Sequence, residues 1–333
     1  MHTQLLMPSQ IETAAALLRQ GECVAFPTET VYGLGANALD ENAVAKIFLA
    51  KGRPADNPLI IHCHNRSQLR DLVAGWPREA EILMDSFWPG PLTLILFKKP
   101  AVPSIVTGGL DTVALRFPDH PVAISLLKAA DLPVAAPSAN VSGKPSPTRA
   151  EHVMEDMSGK IAAIIDGGPT EGGVESTVLD CTTSPFRILR PGGVTLEQIS
   201  ALVPVELDSG ERADSPRSPG MKYRHYSPDA QVVLVTGDNI EEEIQDQIKH
   251  FLAQGLKVAA MAFSESPEYA GAYLLDMGSK TDVSVAAARI YDLLRQADAL
   301  GFDLILIEGL PDEDLGRAIM NRLRKAASKV VHT

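Results

Sequence analysis

The sequence of 333 residues is poor in cysteine and in aromatic residues, and it has no long apolar run. Its three cysteines, Cys23, Cys63 and Cys181, lie in or beside apolar segments, which predicts small core residues and fits a reducing cytoplasm. Because no apolar run is long enough to cross a bilayer, we predict a cytoplasmic protein without membrane contact. The first ten residues lack a basic segment before an apolar stretch, so we expect no signal peptide.

An excess of basic residues is also absent. The net charge of −12 argues against a general nucleic-acid binder, which is usually basic. Residues 1–205 carry 16 Lys and Arg against 21 Asp and Glu, and residues 206–333 carry 14 against 21, so neither part is basic overall. A local basic cleft remains compatible with this balance.

The segment 23–65 contains neither G-x-x-x-x-G-K-[ST] nor G-x-G-x-x-G, the common phosphate-binding patterns. It predicts a buried strand at 23–26, turn glycines at Gly33 and Gly35, and a helix capped by Asp40. That helix stops at Lys51-Gly52-Arg53-Pro54, and a second strand at 59–61 runs into His62-Cys63-His64. Two histidines are too few ligands for a structural zinc site. Polar groups therefore gather at the ends of two strands and one helix.

Taken together, these segments resemble the YrdC-type threonylcarbamoyl-AMP synthase family. The resemblance rests on PTETVYGLG followed by KGRPxxNPLIIH, and on six later segments: FWPGPLTLIL, TVALRFP, APSANVSGKPSPT, IIDGG, VESTVLD and ILRPGG. The segment PGMKYRHYSP at 219–228 resembles the linker of the family's long, two-domain form. The likeness is strong to about residue 228 and weaker beyond.

The element pattern predicts an α/β protein of two domains. Residues 1–205 predict a YrdC-like catalytic domain with a twisted mixed sheet, in which Thr148 caps a helix. Residues 206–230 are polar and rich in proline, which predicts a linker. Residues 231–333 predict a smaller Rossmann-like domain without a nucleotide fingerprint. Its last helix carries Arg322, Arg324 and Lys325, which we expect on a solvated face, with a surface for RNA or a protein partner as the alternative.

The resemblance implies that L-threonine, bicarbonate or CO2, and ATP react to give threonylcarbamoyl-AMP and pyrophosphate. It implies Lys51 and Arg53 as catalytic residues. The implied ATP-binding residues are Arg53, Asn57, Thr112, Ser138, Asn140, Ser146, Arg190 and Tyr226. The implied threonine-binding positions are Thr30, His62, Arg116, the backbone at Ala136, and Ser176.

Magnesium is expected with ATP, held mainly by phosphates rather than by a dedicated carboxylate cluster. Glu29, Asp166 and Glu175 are candidate ligands, although turn and cap roles suit them equally well. The family passes its product to a tRNA threonylcarbamoyl transferase complex, and weak direct contact with tRNA is possible. The aromatic and basic residues of 219–228 suggest a lid that closes over the cleft, with Tyr226 touching the nucleotide.

Two other functions fit parts of the sequence. A carbamoyl-transfer domain of the hydrogenase-maturation kind shares the fold, but its accompanying zinc-finger and acylphosphatase segments are absent from this sequence. An RNA-binding module with a basic concave face belongs to a different class. The acidic balance and the 5% aromatic content count against that module.

Overall fold

A computed structural model describes residues 2–208 and 225–333. The described chain separates into two compact units. The first contains residues 2–142 and 146–208, and the second contains residues 143–145 and 225–333. In the described part of the chain, no helix is long and apolar enough to cross a membrane. Residues 209–224, most of the predicted linker, lie outside the described residues.

The first unit contains eleven strands, eight α-helices and one short 3-10 helix (Pro8–Gln10) among its described residues. The strands are β1 (Gln4–Leu6), β2 (Val24–Pro27), β3 (Tyr32–Asn37), β4 (Ile60–His62), β5 (Leu92–Phe97), β6 (Thr112–Arg116), β7 (Val134–Ala135), β8 (Ala163–Ile165), β9 (Thr177–Asp180), β10 (Phe186–Arg190) and β11 (Val205–Leu207). The helices are α1 (Ile11–Arg19), α2 (Glu41–Lys51), α3 (Arg66–Leu72), α4 (Arg78–Phe87), α5 (Ser104–Thr107), α6 (Pro121–Ala130), α7 (Ala150–Met157) and α8 (Leu196–Ser200).

All eleven strands join one sheet, in the order β1-β8-β2-β3-β7-β4-β6-β5-β9-β10-β11. Strand β4 pairs in parallel with β6 and antiparallel with β7, while β5 pairs antiparallel with β6 and in parallel with β9. The sheet is therefore mixed, which confirms the predicted α/β fold class of this part.

The two faces of this sheet are covered to different extents. One face packs on the large core, to which β4, β6 and β9 contribute Ile61, Leu115 and Leu179. On the other face, α1 and α6 pack against β2, β7 and β8. Farther along the sheet, the strands β4, β6, β5, β9 and β10 present on this face a five-residue apolar cluster among the described residues: Ile60, Ile95, Ala114, Val178 and Leu189. Because strand side chains alternate, residues two positions from this cluster share its face.

Helix α2 begins and ends where its sequence predicts. The Asp40 carboxylate accepts hydrogen bonds from the backbone N–H groups of Asn42 and Ala43, at 2.9 and 3.2 Å. Gly52 closes the helix in the left-handed conformation, with φ of 61°. Lys51 thus lies in the last turn of α2, and Arg53 lies in the segment between α2 and β4.

Two predictions about this unit are wrong. Gly33 and Gly35 belong to strand β3 rather than to a turn. A Cβ at Gly35 would lie 2.7 Å from the ring of Phe26, so glycine serves here for close packing. Thr148 does not cap a helix, because α7 begins at Ala150 with Arg149 at its N-cap position.

The second unit has five strands and three helices among its described residues. They are β12 (Gln231–Thr236), α9 (Ile240–Leu252), β13 (Val258–Ala262), β14 (Tyr273–Asp276), α10 (Val283–Ala299), β15 (Leu304–Glu308), α11 (Asp314–Ala326) and β16 (Lys329–His332). The strand order is β14-β13-β15-β12-β16, and every pair is parallel. This confirms the predicted Rossmann-like layer structure.

The predicted solvated face of α11 is wrong for one of its three cations. Arg322 is buried, at 1% exposure, and its guanidinium lies 5.8 Å from the ring centre of Tyr226. Arg324 is exposed and pairs with Asp312 at 2.7 Å. The helical spacing of these residues therefore divides the cations between the core and the surface.

Candidate active site

His62 and Arg116 lie side by side on the lightly covered face of the first sheet. They are register partners at the carboxyl ends of the parallel strands β4 and β6. Each lies two positions beyond a member of the five-residue cluster, Ile60 or Ala114, and each is buried. Burial, assisted by the Arg116 charge, lowers the pKa of His62 to about 3. The imidazole is therefore neutral near pH 7, and the fixed charge comes from Arg116.

Arg116 is held by groups from two loops. Its Nε donates to the carbonyl of Gly90 at 3.3 Å, and its Nη2 donates to Oγ1 of Thr30 at 3.1 Å. Nη2 also lies 2.7 Å from Oε1 of Glu29. Within residues 2–208 and 225–333, Nη1 has no hydrogen-bond partner. One edge of the guanidinium is thus fixed, while the other can receive an anion.

Ser176 and Arg190 form a hydrogen-bonded pair, just before β9 and at the end of β10. Arg190 is buried, and its Nε and Nη2 donate to the carbonyl of Ser176 at 3.1 and 3.0 Å. The Ser176 hydroxyl lies 2.8 Å from Oγ1 of Thr93. A Cβ at Gly192 would meet the backbone N of Thr177 at 2.2 Å, so only glycine fits where this loop turns.

Lys51 anchors the loop that carries Ser138 and Asn140. Its buried ammonium donates to the backbone carbonyls of these two residues, at 2.5 and 2.6 Å. The Ser138 hydroxyl donates to Oδ1 of Asn140 at 2.6 Å. Two of the three ammonium donors therefore position a loop, and the catalytic role implied for Lys51 stays a prediction.

Asn57 and Thr112 lie at the opposite ends of the same two strands. Asn57 precedes β4 and is fully buried, yet neither its amide oxygen nor its amide nitrogen has a partner among the described residues. Arg53 donates to the carbonyls of Asn57 and Pro58, at 3.3 and 3.2 Å. Thr112 opens β6, so it lies roughly 13 Å along the strand from Arg116.

The predicted positions therefore fall into two groups along β4 and β6. His62, Arg116, Thr30 and Ser176 surround the carboxyl ends of these strands, as a threonine pocket would require. Arg53, Asn57 and Thr112 lie at the amino ends, where ATP contacts are predicted. Arg190, although predicted for ATP, is bonded to Ser176 in the first group.

Ala136 and Ser146 are already engaged with neighbouring groups. The Ala136 N–H donates to the carbonyl of Ile60 at 2.9 Å, so a substrate contact at this position would use the Ala136 carbonyl. The buried Ser146 hydroxyl donates to Oε1 of Glu175 at 2.6 Å.

Tyr226 lies in the second unit, where it is buried. Its ring centre is 5.3 Å from that of Tyr291 and 5.8 Å from the guanidinium of Arg322. The predicted lid at 219–228 lies partly outside the described residues, because 219–224 are not described. Its closure and the contact of Tyr226 with nucleotide stay predictions.

The three candidate magnesium ligands all contact protein groups. Glu29 faces Arg116, Glu175 accepts from Ser146, and Asp166 accepts from the N–H of Gly168 at 3.0 Å. No cluster of three or more His, Cys, Asp or Glu residues suited to a metal ion occurs in the described part of the chain.

Sequence reasoning missed two features of the first group. Thr93 is a polar residue within the apolar run LTLILF, and its alternation with Ile95 could have placed it on the site face. The pairing of Glu29 with Arg116 joins residues 87 positions apart. No local pattern in the sequence indicates such a contact.

The second unit has a cleft of its own, with a volume of about 320 Å³. It lies at the carboxyl ends of β12 and β15, and its lining includes Asp238, Glu241, Glu242, Lys280 and Glu308. Lys280 Nζ lies 3.5 Å from Oε1 of Glu241 and 3.9 Å from Oε2 of Glu308. The residues predicted to bind ATP or threonine are not part of this lining.

Two family models match the chain. The Sua5_yciO_yrdC model, described as "Telomere recombination", matches residues 16–192, which is more than half of the chain. The model described as "Threonylcarbamoyl-AMP synthase, C-terminal domain" matches residues 194–328.

Two curated relatives and one solved structure are similar to this chain over nearly its whole length. The threonylcarbamoyl-AMP synthase of Bacillus subtilis (strain 168) is 52% identical over 323 residues, covering 96% of this chain and 93% of the relative. That of Pyrococcus abyssi is 51% identical over 324 residues, covering 96% and 94%. A crystal structure of P. abyssi Sua5 complexed with L-threonine matches with a TM-score of 0.94 at 48% identity, covering 100% of both chains.

Proposed function

Since this chain belongs to the Sua5/YrdC family, we propose that it is a threonylcarbamoyl-AMP synthase. It joins L-threonine, CO2 or bicarbonate, and ATP into threonylcarbamoyl-AMP, releasing pyrophosphate. The observation that carries the proposal is the arrangement of two polar groups of residues at opposite ends of β4 and β6. The relative whose structure contains L-threonine supports the choice of amino acid.

At the carboxyl ends of these strands, Arg116 binds the threonine carboxylate through its Nη1 edge. Thr30, Ser176 and the neutral His62 surround the rest of the amino acid, and the Ala136 carbonyl is available to a donor on it. With its carboxylate fixed, threonine presents its neutral α-amine to CO2. The nitrogen–carbon bond forms, the nitrogen loses a proton to water, and an N-carboxylate results. Holding these reactants together is worth a large part of the barrier, because it replaces a bimolecular encounter.

Arg53, Asn57 and Thr112, at the amino ends of these strands, bind ATP. Ser138, Asn140, Ser146, Arg190 and Tyr226 are the further ATP-binding residues of this proposal. An oxygen of the N-carboxylate attacks the α-phosphorus, the bond to the β-phosphate oxygen breaks, and pyrophosphate leaves. Because the AMP group is transferred, the enzyme is a nucleotidyltransferase. Lys51 contributes by fixing the loop of Ser138 and Asn140, and Arg53 offsets charge on the phosphates.

Magnesium enters this scheme as part of the ATP complex. Ion pairing or hydrogen bonding engages the carboxylates of Glu29, Asp166 and Glu175. The donor set of the protein therefore suits an ion held mainly by phosphate oxygens and water. Bound in this way, Mg²⁺ would neutralise charge on the leaving pyrophosphate.

The product serves a tRNA threonylcarbamoyl transferase complex in the cytoplasm, which modifies adenosine next to the anticodon. A weak direct contact with tRNA belongs to the same proposal. No contact among the described residues favours the carbamoyl-transfer or RNA-binding alternatives.

The test is pyrophosphate release from ATP by the purified protein. We expect release to require both L-threonine and bicarbonate, and to yield a product with the mass of threonylcarbamoyl-AMP. Release that is independent of threonine would contradict the proposal. Salt-sensitive RNA binding without turnover would favour the binding module instead.

A further inference from the structure

Glu29 is a carboxylate withdrawn from water at the threonine end of the site. It lies in the loop between β2 and β3, and its side chain is 16% exposed. Oε1 is 2.7 Å from Nη2 of Arg116. Neither carboxylate oxygen accepts a hydrogen bond from the described residues, and both oxygens are shielded from solvent.

This arrangement leaves the carboxylate only partly compensated. An ionised carboxylate has about four acceptor positions, and burial without donors is costly. A single ion-pair contact offsets only part of that cost. An approaching group with N–H donors and a positive charge would complete the compensation.

Arg116 shows the complementary pattern. Gly90 and Thr30 engage its Nε and Nη2, whereas Nη1 has no partner among residues 2–208 and 225–333. The two side chains thus place a free guanidinium edge next to an undersaturated carboxylate. An amino acid zwitterion carries the matching charges, a carboxylate and an ammonium joined through one carbon.

We propose that Glu29 and Arg116 together recognise the zwitterion of the substrate amino acid, with Glu29 binding its ammonium group. This inference rests on the proposed function and adds a residue to it. Glu29 also orients the amine, because an ammonium held at Glu29 keeps the nitrogen at a fixed place relative to the carboxylate on Arg116. Amino acids would then be selected over hydroxy acids of the same shape.

The alternative is that Glu29 only steadies Arg116. The two roles separate when the ligand, rather than the protein alone, is changed. We would measure binding of L-threonine and of 3-hydroxybutyrate, which keeps the carboxylate and hydroxyl but lacks the amine, by calorimetry without ATP. The proteins are the wild type, Glu29→Gln, and the control Glu171→Gln, which changes an exposed carboxylate in the neighbouring loop.

We expect Glu29→Gln to weaken threonine binding on the order of 10- to 100-fold, as for loss of a charge-assisted hydrogen bond. Binding of 3-hydroxybutyrate should stay within about threefold or tighten, because that ligand has no ammonium to lose. Glu171→Gln should change neither. Glu29→Asp retains the charge and should recover part of the preference for threonine.

Three outcomes would overturn the inference. Equal weakening of both ligands in Glu29→Gln would assign Glu29 to the support of Arg116 alone. If the wild type binds threonine and Glu29→Gln binds it equally well, the inference is wrong and the proposed function remains intact. Absence of threonine binding to the wild type would remove both. If Glu29→Gln does not fold, as judged by circular dichroism, the same comparison is made with Glu29→Asp, whose preference must then fall below that of the wild type.

Discussion

Glu308 in the second unit and Glu29 in the first both carry carboxylates withdrawn from water, but only the Glu308 carboxylate is hydrogen-bonded within the described part of the chain. Glu308 accepts from the hydroxyls of Tyr269 and Ser266, at 2.5 and 2.7 Å, and from the N–H of Phe263 at 3.3 Å. Burial and the Glu308 carboxylate raise the pKa of Tyr269, so its phenol stays a donor. Among the described residues, the Glu29 carboxylate has an ion pair with Arg116 and no hydrogen bond.

We interpret this difference as one between a buried charge that stabilises the fold and, at Glu29, a buried charge that binds a ligand. A carboxylate with three protein donors gains little from a further partner, whereas removing it leaves those donors unsatisfied. Asn57 resembles Glu29, because its buried amide also lacks partners among the described residues. We therefore expect substitutions in the first unit to alter substrate binding and substitutions at Glu308 to alter stability.

The largest expected effect is that of Arg53→Ala in the first unit. Loss of a cation placed against phosphate charge should lower turnover on the order of 10²- to 10³-fold. Pyrophosphate release measures the change, and circular dichroism checks that the protein stays folded. Arg66→Ala, which removes an exposed cation paired with Glu81 and Asp85, is the matched control and should keep normal turnover. Near-normal release by Arg53→Ala would remove this residue from the site.

Arg116→Ala tests the threonine end of the site. We expect the threonine KM to rise on the order of 10- to 100-fold, because a charge-assisted contact to the carboxylate is lost. The ATP KM should change much less. Arg187→Ala, which breaks an exposed pair with Glu206, is the control. An equal rise in both KM values would mean that Arg116 does not discriminate between the two substrates.

Glu308→Ala tests the other side of the comparison. Its removal leaves the hydroxyls of Tyr269 and Ser266 without their acceptor, so the unfolding free energy should fall by about 1–3 kcal/mol. Urea denaturation measures this fall, and Glu268→Ala at an exposed position is the control. The threonine and ATP KM values should stay unchanged. A selective rise in either KM would show that the second unit's cleft takes part in substrate binding.

The sequence predicted long, strongly patterned elements well, since their spacing reflects one environment. Helix α2, for example, begins after its predicted cap Asp40 and ends at Lys51, where Gly52 was predicted to stop it. Strand β3 was missed because Gly33 and Gly35 usually mark turns, whereas here both lie in a strand and Gly35 allows close packing against Phe26 and Val134. The short strands β1, β11 and β16 have too few residues to show a period.

The candidate site was predictable as a set of residues but not as an arrangement. Motif likeness named Arg116 and Thr30, whereas Glu29 stood only as a candidate metal ligand. Its pairing with Arg116 depends on the loop between β2 and β3 reaching the end of β6, which no local pattern shows. Likewise, the sequence predicts Arg322 on a solvated face, whereas the packing of α11 buries it.

His62 should make stability depend on pH in a direction that the structure determines. Its pKa is about 3 in the folded protein, because burial disfavours the charged form, against an ordinary value of 6.5 in the unfolded chain. The unfolded state therefore binds more protons as pH falls from about 6.5 toward 3, and the unfolding free energy falls by up to ~1.4 kcal/mol per pH unit. Above pH 6.5 this contribution is fully present.

Urea denaturation between pH 4 and 8 measures this dependence. His62→Gln should show a shallower loss on acidification than the wild type. His64 and His120, whose pKa values burial also lowers, remain in both proteins and cancel in the comparison. An identical slope in the two proteins would contradict a buried, neutral His62.

Tyr226→Phe gives the smallest expected change. It tests whether a residue of the second unit takes part in ATP binding. The substitution keeps the ring that packs near Tyr291 and Arg322, so the melting temperature should change little. If the Tyr226 hydroxyl bonds the nucleotide, as we propose, the ATP KM should rise roughly two- to tenfold, the value of one hydrogen bond, with the threonine KM unchanged. Tyr291→Phe, at a fully buried ring in the same cluster, is the control for packing. An ATP KM equal to that of the wild type would contradict the proposed contact between the Tyr226 hydroxyl and the nucleotide.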